Sequence, residues 1–566
     1  MSQSPEQLLA QAIKDQQTRM SGYEIPSEAL TFETVRALDH AFCREQMPHL
    51  RPLNESERRH QFLLQRGVNE ALKRVLPANL AHDKPRLFSS TRQTQQKADD
   101  FLLDSGFLWF AERFLAQLRA GFLSGHLDPH RQVDGAPILV LTAADRTLYH
   151  EKIGYAGVDW LSDRALLKGR PKEEALLRER EVVLSQMTER LLRGAGEEGM
   201  FDGADQHFHE CAKVYLSRMP YRDLLSDDDR IGGRPYSDYV QALMALATLH
   251  ETRLCMTAIL DSERPHLGIR NLLTGGAFAD ELIESVATFL DADTVEVNQL
   301  LTHLALSPVN SAPHLARGTP AWAPLIQTSA NFCVLPSYGL DMNPFLFLAT
   351  ELRERYQSDW FEAANAREAR WVAELRELFP SPRWRCDDGV KIKRGGKVVT
   401  DIDFVAYDSA SKQVALFQLK WQQPSLSDEK VRRNNASSLV GDSNKWTAVV
   451  AEWMTAEGGA VLAKRLSVRE QDLTSSHLLV LGRYGAHFSG QSNADGRAAW
   501  SGWGHLERER TLHPMASPSE MHENLKEAMT AARHAVEPDS LMLPLPGLNL
   551  VVNPTRQPED TTTDSR

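Results

Sequence analysis

The sequence predicts an α+β multidomain protein: a large, mainly α-helical N-terminal region followed by a compact α/β domain with a mixed central sheet. Three observations carry this prediction. Before residue 350, apolar residues recur at three-and-four spacing over long stretches. Past residue 365, helical and strand-like segments alternate. Between Pro308 and Pro344, prolines and turn residues interrupt both patterns. The 566 residues, 42% hydrophobic and 25% charged, suit a globular chain of roughly three to four domain-sized units. The regions expected are 1–140, helical; 141–350, helical and ending in the Pro-rich connection; 351–552, the α/β domain; and 553–566, a polar, aperiodic and disordered tail.

Taken in order, ADDFLLDSGFLWFAERFLAQLRAGF, EEALLREREVVLSQMTERLL, YSDYVQALMALATLHETRLCMTAIL and ADELIESVATFLD read as amphipathic core helices. The branched run PILVLT between them fits a strand or a buried turn. A helix resumes at PFLFLATELRERYQSDW after the Pro-rich stretch. The last domain then reads as helix (REARWVAELRELF), strand (GVKIK), a Gly395-Gly396 turn, strand (KVVTDIDFVAY), strand (VALFQLKW), helix (KWTAVVAEWM) and strand (HLLVLG). No internal repeat is visible.

Composition narrows the function classes. A net charge of -12 means that any nucleic-acid contact uses a local patch rather than the whole surface. Cys43, Cys211, Cys255, Cys333 and Cys386 are odd in number and far apart, which fits neither a disulfide framework nor a CxxC metal site. The start MSQSPEQLLAQAIKDQQ lacks the apolar core of a targeting segment, and no run approaches the roughly 18 uninterrupted apolar residues of a membrane helix. A cytoplasmic protein without a membrane span is the expectation. HExxH, GxSxG and GxxxxGK[ST] are all absent, so an ATP-driven step would need another subunit. LLTGGAFADEL reads as a turn before a helix rather than an anion cradle. In His207-Phe208-His209-Glu210-Cys211 a helix would put His207 and Cys211 on one face without His209, so a chance helix surface is the better reading.

The chemistry concentrates in VVTDIDFVAYDSASKQVALFQLKWQ. In a strand, Asp401, Asp403 and Val405 share one face while Ile402, Phe404 and Ala406 take the other. On the following strand Leu416, Gln418 and Lys420 share a face opposite Ala415, Phe417, Leu419 and Trp421. Pairing the strands through YDSASK brings the acids and the Gln/Lys pair to one surface. An acid, an amide oxygen and an ammonium gathered on an otherwise apolar sheet are costly unless paired. A hard divalent cation is a natural partner, with Asp403 and the Gln418 carbonyl as oxygen ligands. Lys420 would then face a scissile phosphate. A structural ion pair at a sheet edge is the competing account.

TDIDFVAYD followed by FQLKW resembles the PD-(D/E)xK nucleases, the restriction-endonuclease-like superfamily. Its usual pattern is an Asp on one strand and Glu-x-Lys on the next; here Gln418 stands at the acid, the Asp…Gln-x-Lys variant of Mrr-like restriction endonucleases. The resemblance covers roughly residues 360–485. It implies a restriction-endonuclease-like domain and an Mg²⁺-dependent (or Mn²⁺-dependent) endonuclease acting on nucleic acid, with DNA the expected substrate. Asp403, Gln418 and Lys420 would be catalytic, Asp403 and Gln418 the metal ligands, and Asp401 a polar neighbour. The superfamily adds a Glu on the preceding helix. Glu368, on the stripe with Val372, Leu375 and Phe379 and so pointing toward the core, is preferred, and Glu374, with Trp371 and Leu378, is its competitor. Restriction or defence against foreign DNA, with a partner subunit or a homo-oligomer, is the implied role, and control by the helical region follows by analogy. An inactive nuclease-like scaffold that docks nucleic acid or protein is the alternative, and Gln418 favours it.

Beyond Lys420, SDEKVRRNNASSLVGDSNKW opens a helix with Ser427 as N-cap and Lys430, Arg432 and Arg433 in its first turns, candidates for phosphate contact. Basic residues outnumber acids from Arg383 to Arg433, against the trend of the chain. A solvated helix face accounts for these three equally well. Trp371, Trp384, Trp421, Trp446 and Trp453 fit core packing better than base stacking.

Overall fold

The computed structural model describes residues 3–23, 27–44, 51–76, 80, 90–143, 151–192, 204–422, 424, 429–487, 494–535 and 541–553. Of the expected tail only Asn553 is described, and it is the last residue of a strand rather than disordered; residues 554–566 and Ser427 lie outside the described residues. The fold is mixed α and β in several layers, as the alternating texture requires.

The N-terminal helices Pro5–Ser21, Ser27–Cys43, Glu55–Arg66 and Arg92–Arg119 share one apolar core. Helix Arg92–Arg119 crosses Glu55–Arg66 at Gly106, where a Cβ would sit 2.2 Å from the Leu63 carbonyl oxygen, so only glycine permits the approach. PILVLT lies in the strand Ala136–Ala143, half of a hairpin with Leu123–Val133. That strand pairs in parallel with Leu548–Asn553, which itself forms a hairpin with Leu541–Leu545. The last strands therefore extend the N-terminal sheet, although they fall within the 351–552 segment expected to form the α/β domain.

In the middle region, Tyr236–Glu263 and Ala279–Leu290 are helices where the periodicity predicts them, the helix predicted over 173–192 extends back to Glu151, and Ala204–Arg218 is a further helix. Tyr236–Glu263 is long and apolar enough to cross a membrane by length and composition, with 61% of its most apolar window buried inside the protein. Tyr239, Leu243 and Leu246 pack in the core of this region. The stretch from Pro308 to Pro344, expected to be a connection, is a core element. Leu325–Ser329 and Phe332–Leu335 join Gly275–Phe278 and Ala305–Leu306 in a four-stranded sheet. Its prolines lie in the loops and at or near the starts of the short helices Ser311–Leu315, Ser337–Asp341 and Pro344–Arg355, where composition alone resembles a linker.

The C-terminal elements are α1 (Gln357–Glu377), β1 (Trp384–Arg394), β2 (Lys397–Asp408), β3 (Gln413–Lys420), α2 (Glu429–Trp453), β4 (Ser475–Gly482), β5 (Ala498–Gly502), α3 (Trp503–Leu512) and α4 (Pro518–Ala535). The sheet order is β5-β4-β3-β2-β1, antiparallel across β1, β2 and β3 and parallel across β3, β4 and β5. The parallel step from β3 to β4 needs a crossover, which α2 and the helix Gly459–Leu466 supply. One face packs Val390, Ile402, Val405, Leu416 and Val480 on Trp446, Val450 and Trp453 of α2. The other packs Phe404, Phe417, Leu479 and Leu481 on Trp371 and Leu375 of α1 and on Leu506 and Met521 of α3 and α4. Each large apolar side chain so buried is worth ~1.5–3 kcal/mol over exposure.

Candidate active site

The site grows from a local fault in the β1–β2 ladder. Strict alternation puts Ile402 and Phe404 on one face, yet Ile402 packs with Val405 and Tyr407 while Phe404 packs with Ala406 on the opposite face. Inside and outside exchange at Asp403. Across from it on β1, Val390 and Ile392 face α2, whereas Cys386 packs on the α1 side. Gly389, at the same level, has φ +59, a conformation that other residues adopt only with strain. The β2–β3 pairing ends just beyond Phe404 and Phe417. Into that gap the Asp403 side chain takes the place of a backbone acceptor.

Asp403 is 6% exposed. Its Oδ2 accepts from Gln418 Nε2 (2.5 Å) and from the Leu419 backbone N–H (2.6 Å). Burial pushes its carboxyl from 3.8 up to about 7; the Leu419 N–H and the Lys420 charge oppose this, while the charges of Glu368 and Asp401 add to it. At neutral pH the group is poised between acid and carboxylate. Lys420, at the end of β3, is half-buried, and its ammonium makes no hydrogen bond or ion pair among the described residues.

Asp403 and Gln418 thus meet as the strand reading expects, and Lys420 stands two positions farther along the same strand, its charge opposing the rise at Asp403. Asp401 is an exposed neighbour whose backbone oxygen accepts from Trp446 Nε1 (2.7 Å). Glu368 departs from its expected orientation. It is exposed, and the buried stripe of α1 runs through Trp360, Ala363, Arg367, Trp371 and Leu375. With 3.6 residues per turn the stripe drifts along the helix, so Glu368 falls on its rim toward Asp403 instead of in the core. Glu374 is engaged elsewhere, accepting from Arg483 Nη1 at 2.5 Å.

Arg433 is exposed on α2, and the side chains of Lys430 and Arg432 lie outside the described residues. Trp371, Trp384, Trp446 and Trp453 are buried core residues and Trp421 is half-buried, as packing requires. His207 and Cys211 meet at 3.6 Å, whereas the His209 ring nitrogen is 3.5 Å from the Thr248 hydroxyl.

Sequence reasoning missed Arg483. It follows β4, its backbone N–H donates to the Lys420 carbonyl (3.0 Å), and its guanidinium joins Asp223 of the middle region to Glu374 of α1. Trp371, Trp421 and Trp503 surround it at 5.7, 4.7 and 5.2 Å. Burial works against its charge, and the two carboxylates outweigh that effect. Nothing in the local sequence marks Arg483, because Asp223 comes from far along the chain. Gly389 was legible as a strand glycine, the usual sign of a distorted ladder.

Among the described residues no group of three or more His, Cys, Asp or Glu side chains gathers as a metal shell. The donors at hand are the Asp403 carboxylate, the Gln418 amide oxygen and, on the rim, Glu368. An all-oxygen set of this kind suits a hard divalent cation. A cation bound at Asp403 would also reverse the balance that raises its pKa. Comparison of the chain with protein-family models, curated proteins and solved structures finds no match.

Proposed function

We propose that this chain is a metal-dependent nuclease that hydrolyses phosphodiester bonds, with DNA as substrate, on a restriction-endonuclease-like domain. The observation that carries the reading is a buried carboxyl, Asp403, raised toward neutrality by burial at a break in the strand pairing, with Lys420 on the neighbouring strand making no side-chain hydrogen bond or ion pair among the described residues. A structural pair would join these two charges directly. Here the carboxylate is held by Gln418 and Leu419, which leaves the ammonium available to a third party.

In this reading Asp403 and the Gln418 amide oxygen hold Mg²⁺ or Mn²⁺, with Glu368 at the rim. The bound ion supplies charge neutralisation at the phosphate and acidification of water. The Leu419 N–H fixes the Asp403 carboxylate, and Gln418 orients it from the neighbouring strand. Lys420 offers its proton and charge to the phosphate oxygen on which negative charge develops. A role in restriction or defence, with the helical regions or a partner subunit as control, is supported by the resemblance of the TDIDFVAYD and FQLKW motifs.

A second reading is an inactive nuclease-like scaffold. The hydrogen bond from Gln418 Nε2 to Asp403 favours it, because it occupies a carboxylate oxygen that a metal would take. Supercoiled plasmid, linear duplex, single-stranded DNA and RNA incubated with purified protein in Mg²⁺, Mn²⁺ or EDTA separate the two. Metal-dependent cutting that Asp403→Ala removes supports the nuclease. Absence of cutting together with absence of any metal-induced rise in melting temperature supports the scaffold.

A further inference from the structure

We infer that the β1–β2 hairpin beyond the site is an arm that holds the phosphate backbone of duplex DNA alongside Asp403; this rests on the nuclease reading for its substrate. From Val390 the two strands run out to the Gly395–Gly396 turn, both glycines at positive φ. Val390 and Ile392 point into the core. The alternate residues Lys391 and Lys393 are exposed on the other face, and Arg394 and Lys397 flank the turn. Arg394 reaches Glu452 at 2.6 Å, whereas Lys391, Lys393 and Lys397 make no hydrogen bond or ion pair among the described residues.

The register places these cations relative to the site. Lys391 lies across from Asp401, and Lys393 lies across from Val398. Counting along an extended strand, Lys391 is about 7 Å, Lys393 about 14 Å and Lys397 about 20 Å from the level of Asp403. Lys391 and Lys393, two positions apart on the face that packs α1 farther along the sheet, are spaced to meet a phosphate backbone, whereas Lys397, paired with Arg394, which reaches Glu452 of α2, lies on the opposite face. Val398 and Val399, 52% and 46% exposed, add apolar surface suited to sugar edges in a groove.

Lysines on an edge strand also discourage edge-to-edge aggregation, and β1 is an edge. That role predicts no change in DNA affinity, so binding distinguishes the two. The experiment is fluorescence anisotropy of a 5′-labelled duplex, in EDTA to prevent cutting, across a range of salt. The full-length protein is compared with Lys391→Ala/Lys393→Ala and with the charge-matched pair Lys14→Ala/Lys97→Ala; melting curves verify that all are folded. The arm predicts at least a tenfold loss of affinity for the first pair, with the log–log salt slope shallower by about 1.8. The second pair should stay within twofold. Equal effects of both pairs, no effect of the first, or no duplex binding by the parent protein would overturn the arm. A parent that binds through the arm but never cuts would leave the arm standing and remove the nuclease, and cutting that is indifferent to the arm would do the reverse.

Discussion

Replacing Asp403 by Asn should make the protein more stable as pH rises. Asn keeps the side-chain oxygen that accepts from the Leu419 N–H and nearly the same volume, but it cannot ionise. The Asp403 carboxyl titrates near 7 in the folded chain, against 3.8 for an unperturbed one. Between those values the folded chain keeps a proton that the unfolded chain has lost, so this group's contribution to stability falls as pH rises from about 4 to about 7 and is level outside that window. At 1.36 kcal/mol for each tenfold difference in proton affinity, the loss accumulates to about 4 kcal/mol by pH 8. Asp39, raised to about 6 by burial, adds a slope of the same sign, but it is common to both proteins and cancels in their difference. Urea unfolding followed by tryptophan fluorescence suits the test, because seven of the 11 tryptophans lie between residues 371 and 503. The stability gap between Asp403→Asn and the parent should widen by about 4 kcal/mol from pH 4 to pH 8 without divalent metal. A gap that stays constant with pH would refute the buried, raised acid.

Other consequences follow from the same geometry. Asp403→Ala should destabilise by about 2 kcal/mol even at pH 4, since it strands the Leu419 N–H and the Gln418 amide, which urea unfolding reads directly. Gly389→Ala should cost about 1 kcal/mol, because the open space around it admits a methyl group while its φ of +59 does not suit one; a lower urea midpoint at unchanged slope is the expected result. Glu374→Gln should destabilise by about 1–2 kcal/mol by weakening its hold on buried Arg483. Glu368→Gln should leave stability at pH 5 unchanged and shift the Asp403 titration downward, as seen in a lower pH at which the Asp403→Asn gap stops widening. Mn²⁺ should raise the melting temperature of the parent and leave that of Asp403→Asn unmoved.

Much of this was legible in the sequence where periodicity is long or spacing is short. The long helices and the central strands announce themselves through their apolar patterns, and the Asp403–Gln418 pairing follows once KVVTDIDFVAY and VALFQLKW are joined by a short turn. Local pattern fails where distant partners decide. PILVLT could not be assigned because its parallel partner, Leu548–Asn553, lies at the other end of the chain. The run from Pro308 to Pro344 has linker composition, yet tertiary packing buries it. Strand β5 escaped notice because AAWSG is short and lacks branched residues. At the site, the exchange of faces at Asp403 breaks the alternation on which strand reading depends, and the drift of the α1 stripe leaves Glu368 on the rim. Arg483 was invisible because its partners come from separate elements.

The central claim is that Asp403 and Lys420 form a hydrolytic centre rather than a buried ornament of the sheet. It is tested most directly by single-turnover cleavage of duplex DNA in Mg²⁺ or Mn²⁺, comparing the parent with Lys420→Ala at protein concentrations that saturate binding. Cutting by the parent that EDTA abolishes is expected, with a rate lowered by ~10²–10³ in Lys420→Ala and the duplex still bound. Equal rates for the two proteins, or cutting that persists in EDTA, would contradict it.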